Sequence, residues 1–362
     1  MRAVVKIGTS SVTNAVGELD EDALGKLCEE LVAVRSQGHT VAVVCSGAIA
    51  AGMPALGLAA RPTDIGTLQA IAAVGQPRLM ARINAQFATH DVVAGQVLLT
   101  PYDFLHRTQY LHARETLARL FDLGVVPIVN ENDTVADDEV RFGDNDRIAA
   151  LVANLIKADV LVMLTDTAGL FTADPRIDAD ASLIEEITAV DAALDAMVGG
   201  AGSARGSGGM ATKLSAARIA SWSGVRAVIA SADAPGVIAD AIAGRAVGTV
   251  IQPHTERLAS RKLWIAFAIG AAGRIVVDAG ACAALMTQGR SLLAAGVRDV
   301  IGEFDAESAV EIVDHTGRVF AKGLVRSDAA TVRAIAGKRT GDLPAGVPTE
   351  VVHRDDQVVL PG

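Results

Sequence analysis

The chain is 362 residues long, 51% apolar and carries a formal charge of −10. That is enough apolar material for two domain cores, and the wrong sign for a whole-protein attraction to nucleic acid or anionic membrane. Its three cysteines, Cys28, Cys45 and Cys282, are scattered without Cys-x-x-Cys spacing, which argues against a disulfide framework or a cysteine-built zinc site and for reduced core residues.

Up to about residue 252, short β-branched runs alternate with helical periods, the pattern of a mainly parallel sheet covered on both faces. Strands are predicted at 3–7, 40–45, 92–99, 125–129, 160–164 and 225–230. Between the first two, Asp20 reads as a helix N-cap, Leu24, Leu27, Leu31 and Val34 share one face, and Gly38 stands at the helix end, which makes a βαβ unit. Further helices are predicted at 65–74, 77–89, 108–123, 147–156 and 212–222, with Pro77 separating the first two. Residues 183–198 have helical spacing. Past residue 273 the texture changes to short strands and turns: 274–278, a small-residue helix near 281–288, then 310–313 and 318–324. Such short segments predict a mixed α/β or barrel-like module of roughly 80 residues. The expected domains are residues 1–252 and 274–352, joined by a linker at 253–273. The longest apolar stretch, 263–272, is about half a bilayer span, and strand-like residues begin at Ala3, so a soluble cytoplasmic protein is expected.

In open α/β sheets ligands bind beyond the carboxyl ends of the strands, and those ends are polar and glycine-rich here. They read Lys6-Ile7-Gly8-Thr9-Ser10, Ser46-Gly47-Ala48, Asn130-Glu131-Asn132-Asp133 and Thr165-Asp166, with a second acidic turn at Gly143-Asp144-Asn145-Asp146. Lys6 is either a surface lysine or, given its place inside an apolar strand two residues before a glycine, a phosphate-facing one. Ser46-Gly47 is compatible with a simple strand-to-helix turn. Asp133 and Asp146 would serve as turn and N-cap residues, but the density of acids and amides across 130–146 favours ligand binding. His106 and His112 are six residues apart, a gap that suits neither one helical face nor a metal pair, and no histidine is expected to carry the chemistry.

The loop Gly206-Ser207-Gly208-Gly209-Met210-Ala211-Thr212-Lys213 feeds the 212–222 helix. Amides of such a turn, the positive helix end and a lysine on the first turn can together hold a phosphate chain. It is not a Walker loop, because three residues separate Gly209 from Lys213, and its dinucleotide-like spacing lacks a preceding strand. A mobile surface loop is the alternative.

In this order, and with Gly52 closing the Ser46 segment and 169–175 following Asp166, these motifs resemble the amino-acid kinase superfamily, and within it the glutamate 5-kinases, over residues 3 to about 252. Residues 274–352 resemble a PUA domain. The resemblance implies an α/β three-layer αβα sandwich with a small C-terminal mixed α/β pseudo-barrel. It implies ATP-dependent phosphorylation of the γ-carboxylate of L-glutamate, the first step towards proline, with ATP and Mg2+ as cofactors. Lys6, Lys213 and Asp146 would be catalytic; Ser46, Asp133 and Asn145 would bind glutamate; Lys6, Thr165, Asp166, Ser207, Gly208, Gly209, Met210, Ala211, Thr212 and Lys213 would bind ATP, and no protein metal ligand is assigned. It also implies proline as feedback inhibitor, a homo-oligomer (dimer or tetramer) and a glutamyl phosphate reductase as recipient of the product. Two alternatives stand beside this reading. One is another superfamily kinase, acting on N-acetylglutamate or aspartate. The other is an RNA-binding protein acting through the PUA-like module, which residues 274–362 disfavour with 10 Lys and Arg against 12 Asp and Glu.

Overall fold

The computed structural model describes residues 1–14, 17–135, 145–175, 177–188, 209–255 and 257–360. They fall into two compact units, Met1–Arg257 and Leu258–Gly362.

In the first unit, β1 (Arg2–Ile7) and β2 (Thr40–Cys45) flank α1 (Glu21–Ser36). Asp20 caps α1 by accepting from the amides of Asp22 and Ala23, and Gly38 turns the chain at φ 84°, so the βαβ unit forms where the sequence places it. β1 and β2 pair in parallel with Val4 opposite Ala42, and no residue of β1 after Arg2 is exposed. Alternate side chains of a strand point to opposite faces. Ala3, Val5 and Ile7 therefore join Leu24, Leu27 and Leu31 of α1 in one core, and Val4 and Lys6 turn to the other face.

Next come α2 (Ala48–Gly52), α3 (Ile65–Ala88), β3 (Ala94–Leu99), α4 (Arg107–Asp122) and β4 (Val126–Glu131). α5 (Asn145–Leu155), β5 (Val160–Thr165), β6 (Glu186–Ile187), α6 (Met210–Trp222), β7 (Arg226–Ser231), α7 (Val237–Ala243) and β8 (Thr249–Ile251) complete the unit. The eight strands run in the order β3-β4-β2-β1-β5-β7-β8-β6. All neighbouring pairs are parallel except β7 with β8. α5 packs on β1, β4 and β5 and buries Ile148, Leu151 and Val152, each side chain contributing about 1.5–3 kcal/mol of transfer free energy.

Two sequence expectations fail. α3 is one helix and does not break at Pro77. Proline removes the hydrogen bond to residue 73, but Ala73 and Pro77 are both exposed, and on a solvent-facing side of a helix water can replace that bond and the ring needs no room in the core. The 183–198 segment begins extended, with Leu183 bridging Phe171 and β6 adding to the β8 edge. Pairing at the sheet edge outweighs the helical spacing of Leu183 and Ile187; residues 189–198 lie outside the described residues.

Two glycines set the contact between α2 and α3. A Cβ on Gly75 would fall 1.7 Å from the carbonyl oxygen of Ala48, and one on Gly52 would fall 2.2 Å from that of Ile71. The two backbones touch with no room for a side chain.

The second unit opens with α8 (Ser260–Leu263), continues through one wider turn to Ala268, and buries Leu263, Trp264 and Ile265. Its strands are β9 (Gly273–Val277), β10 (Leu292–Leu293), β11 (Val297–Ile301), β12 (Ala309–Val313), β13 (Val319–Val325) and β14 (Glu350–Val359), with α9 (Ala279–Gln288) and α10 (Ala329–Ile335) between them. The sheet order is β10-β14-β13-β12-β9-β11. Ile275, Val310, Ile312, Phe320 and Val332 fill its separate core. None of the described helices is long and apolar enough to cross a membrane.

Candidate active site

Three elements converge on one carboxylate. Lys6 leaves β1 on the face covered by α5, Asp146 sits in the first turn of α5, and Lys213 is the fourth residue of α6. Lys6 Nζ lies 2.7 Å from Asp146 Oδ1 and Lys213 Nζ lies 3.3 Å from Oδ2. The Thr212 hydroxyl donates to the same Oδ2 at 2.8 Å. Lys6 and Lys213 are 6% exposed and Asp146 is 2% exposed. Burial opposes the charge on Asp146, but the two ammoniums more than offset it and hold the carboxyl below its ordinary range. Burial, helped by Lys6 and opposed by Asp146, lowers the Lys213 pKa. Two cations around one anion leave the trio with a positive excess, which suits a polyanionic ligand. Gly8 flanks it: a Cβ there would stand 3.8 Å from Lys6 Nζ.

Gly209, the N-cap of α6, brings no capping side chain, and the positive end of the helix suits an anion. Met210 is half-buried, and Gly209 and Ala211 are exposed at this end. Thr165 ends β5, buried, and donates to Asp166 at 3.0 Å. Ser207 and Gly208 lie outside the described residues, as do Gly143 and Asp144.

On the other side of Asn145 is a cavity of about 430 Å³, lined by Ser46, Asn130, Asp133 and Asn145 together with Arg61 and Thr9. Gly47 lets the chain turn out of β2 into α2 at φ 119°, a backbone region that favours glycine. Asn145 Nδ2 donates to Ser46 Oγ at 3.1 Å and to Asn130 Oδ1 at 2.9 Å. Asp133 is buried, and among the described residues nothing hydrogen-bonds its Oδ1. Burial pushes its carboxyl up to about 6, with Arg61 pulling the other way. A buried acceptor without a donor is costly and suits a ligand cation. Cys45, beside Ser46, is fully buried, and burial pushes its thiol up to about 12.

Residues 1–231 match the profile of the amino acid kinase family, and residues 273–346 match the PUA domain. The glutamate 5-kinase of Burkholderia lata is 46% identical over 363 residues, covering 99% of this chain and 98% of that protein. The glutamate 5-kinase of Burkholderia mallei is 47% identical with the same coverage. This chain belongs to the amino acid kinase family. Its glutamate 5-kinase relatives match it along nearly their whole length. The solved UMP kinase of Bacillus anthracis aligns with 69% of this chain and 95% of its own at 17% identity and a TM-score of 0.49.

As a member of the amino acid kinase family, the chain brings together the residues that the sequence singled out: Lys6, Asp146 and Lys213 in one cluster, Ser46, Asp133 and Asn145 around one cavity. Three residues escaped the sequence reading. Asn130 was visible only as part of an amide-rich run. Arg61, in a loop, and Gln76, in the middle of a helix, carried no signal, because only the fold brings them to the cavity and to Asn130.

Proposed function

We propose that this chain transfers the γ-phosphoryl group of ATP to the γ-carboxylate of L-glutamate, giving γ-glutamyl phosphate and ADP on the way to proline. The observation that carries this reading is the buried Lys6-Asp146-Lys213 cluster next to a cavity lined by Asp133, whose buried Oδ1 has no donor among the described residues. A γ-carboxylate oxygen attacks the γ-phosphorus in line while the bond to the ADP oxygen breaks, so no protein nucleophile or base is required. Lys6 and Lys213 neutralise charge on the phosphoryl oxygens and on the leaving oxygen, and Asp146 holds both ammoniums in place. Ser46, Asp133 and Asn145 form the glutamate pocket: Asp133 receives the α-ammonium, and Arg61 would pair with the α-carboxylate. Thr165, Asp166 and the 207–213 loop with the start of α6 bind ATP.

Among the described residues no group of three or more His, Cys, Asp or Glu side chains could hold a metal ion. Mg2+ would enter on the ATP phosphates and keep several waters, adding to charge neutralisation. The proposal extends to a cytoplasmic homo-oligomer inhibited by proline, with a reductase taking up the labile product. Chemistry is assigned to the first unit, Met1–Arg257.

The test is ATP-dependent γ-hydroxamate formation with glutamate, aspartate and N-acetylglutamate compared. Glutamate should be the preferred substrate by a wide margin; activity confined to either of the others would replace the substrate assignment.

A further inference from the structure

Gln76 is half-buried on α3, directly after the glycine that touches α2. Its Oε1 accepts from Asn130 Nδ2 at 2.7 Å. This bond ends a chain of amides whose orientation is fixed by one group that can only donate, the backbone N–H of Glu131. That N–H reaches Asn130 Oδ1 at 2.9 Å and Asn145 Oδ1 at 3.1 Å. With both oxygens turned to it, Asn145 has two amide hydrogens to place, and they go to Asn130 Oδ1 and Ser46 Oγ. Asn130 is then left with its own amide hydrogens and needs an acceptor away from Asn145. Gln76 supplies that acceptor.

We propose that Gln76 is a positioning residue for the acceptor substrate, acting through Asn130 and Asn145 to set which way the Ser46 hydroxyl donates. Ser46 Oγ accepts from Asn145, so its single hydrogen is directed away from the protein amide and into the cavity, where it can donate to a substrate carboxylate. Turning Asn130 over would aim its amide hydrogens at Glu131 N–H and Asn145 Nδ2, a donor-to-donor clash. Asn145 would then relax by presenting its oxygen to Ser46. The serine hydrogen would be spent on the protein, and a lone pair would meet the carboxylate instead. On this account Asn145 acts on glutamate through the serine that it holds. The inference rests on glutamate being the acceptor.

The experiment uses the full chain and steady-state hydroxamate kinetics on Gln76→Leu, Ser46→Ala and the double variant, with thermal unfolding measured alongside. Gln76→Leu should raise the glutamate KM about tenfold, the scale of one lost hydrogen bond to a charged group. The ATP KM should stay within about twofold of the parent. Because Gln76 works through Ser46, adding Gln76→Leu to Ser46→Ala should change the glutamate KM by less than about twofold. Gln76→Glu, which keeps an acceptor oxygen towards Asn130, should stay within about threefold of the parent, and Gln76→Met, of similar length but without that oxygen, takes the place of the leucine variant with the same expected rise if the latter fails to fold. Multiplicative effects in the double variant, equal rises in both KM values, or a glutamate KM indifferent to Gln76→Leu would overturn the proposal. A parent enzyme inactive on glutamate would instead remove the substrate assignment beneath it.

Discussion

Lys6 and Lys213 both pair with Asp146 within 3.3 Å, whereas in the adjoining cavity Asp133 keeps a buried oxygen with no donor among the described residues. The first region is held by its own ion pairs. The second offers a buried acceptor that, among the described residues, has no donor. The contrast matches two tasks. Charge that develops during phosphoryl transfer is best met by groups already in place, since reorganising them would add to the barrier. A small zwitterion is best selected by polar groups that remain unpaired without it.

Removing a cation from the Lys6-Asp146-Lys213 cluster should cost the most. Lys213→Ala and Lys6→Ala should each lower kcat about 10²- to 10³-fold with a much smaller change in glutamate KM. Near-normal kcat in either folded variant would take that lysine out of the mechanism. Asp146→Asn should also depress kcat, because it releases both ammoniums.

On the cavity side, Asp133→Asn should act on glutamate KM, raising it about 10- to 100-fold, the scale of a lost charge-assisted hydrogen bond. The ATP KM should hardly move. If Asp133→Asn lowers kcat and Asp146→Asn raises only glutamate KM, the two roles exchange.

The same aspartate sharpens the contrast through pH. Its carboxyl lies at about 6 in the fold against an ordinary value of 3.8. The unfolded chain ionises first as pH rises, so this group favours folding below pH 4 and loses that contribution as pH passes through 6. Asp133→Asn should therefore be more stable than the parent at pH 8, by about 3 kcal/mol, with the advantage shrinking to nearly nothing by pH 4. Paired unfolding curves at the two values would show it. In the parent enzyme, glutamate KM should rise as pH falls below about 6, because a protonated Asp133 cannot hold an ammonium.

The smallest effect is expected from the second unit. A chain ending at Arg257 should keep glutamate kinase activity within a fewfold, since every residue assigned to ATP, glutamate or phosphoryl transfer precedes residue 214. A soluble, folded truncation without activity would show that the site is incomplete alone. Comparing proline inhibition and sedimentation for the two lengths would show whether the second unit biases regulation.

Much of the site was legible because polar residues stood where an apolar strand should end: Lys6 inside β1, Ser46 after β2, Asn130 to Asp133 at the end of β4. The two-residue strands β6 and β10 and the edge strand β11 were not legible, because their pairing is decided by distant neighbours. Pro77 misled because a proline's cost depends on whether the orphaned carbonyl faces water, which a sequence does not state. Gln76 was silent for a related reason. A glutamine on a helix is ordinary until the fold brings Asn130 against it.

The crossing of α2 and α3 bears on which acceptor the pocket will serve. Ser46 stands just before α2 and Gln76 just after Gly75, so both ends of the amide chain ride on backbones that cannot draw closer. The serine wall is thus held in a fixed place. A dicarboxylate one methylene shorter than glutamate should find that wall unable to move inward, and its reacting oxygen should fall short of the phosphorus. Misplacement on the order of 1 Å costs about 10²-fold in rate, so selection by chain length should appear in turnover more than in binding.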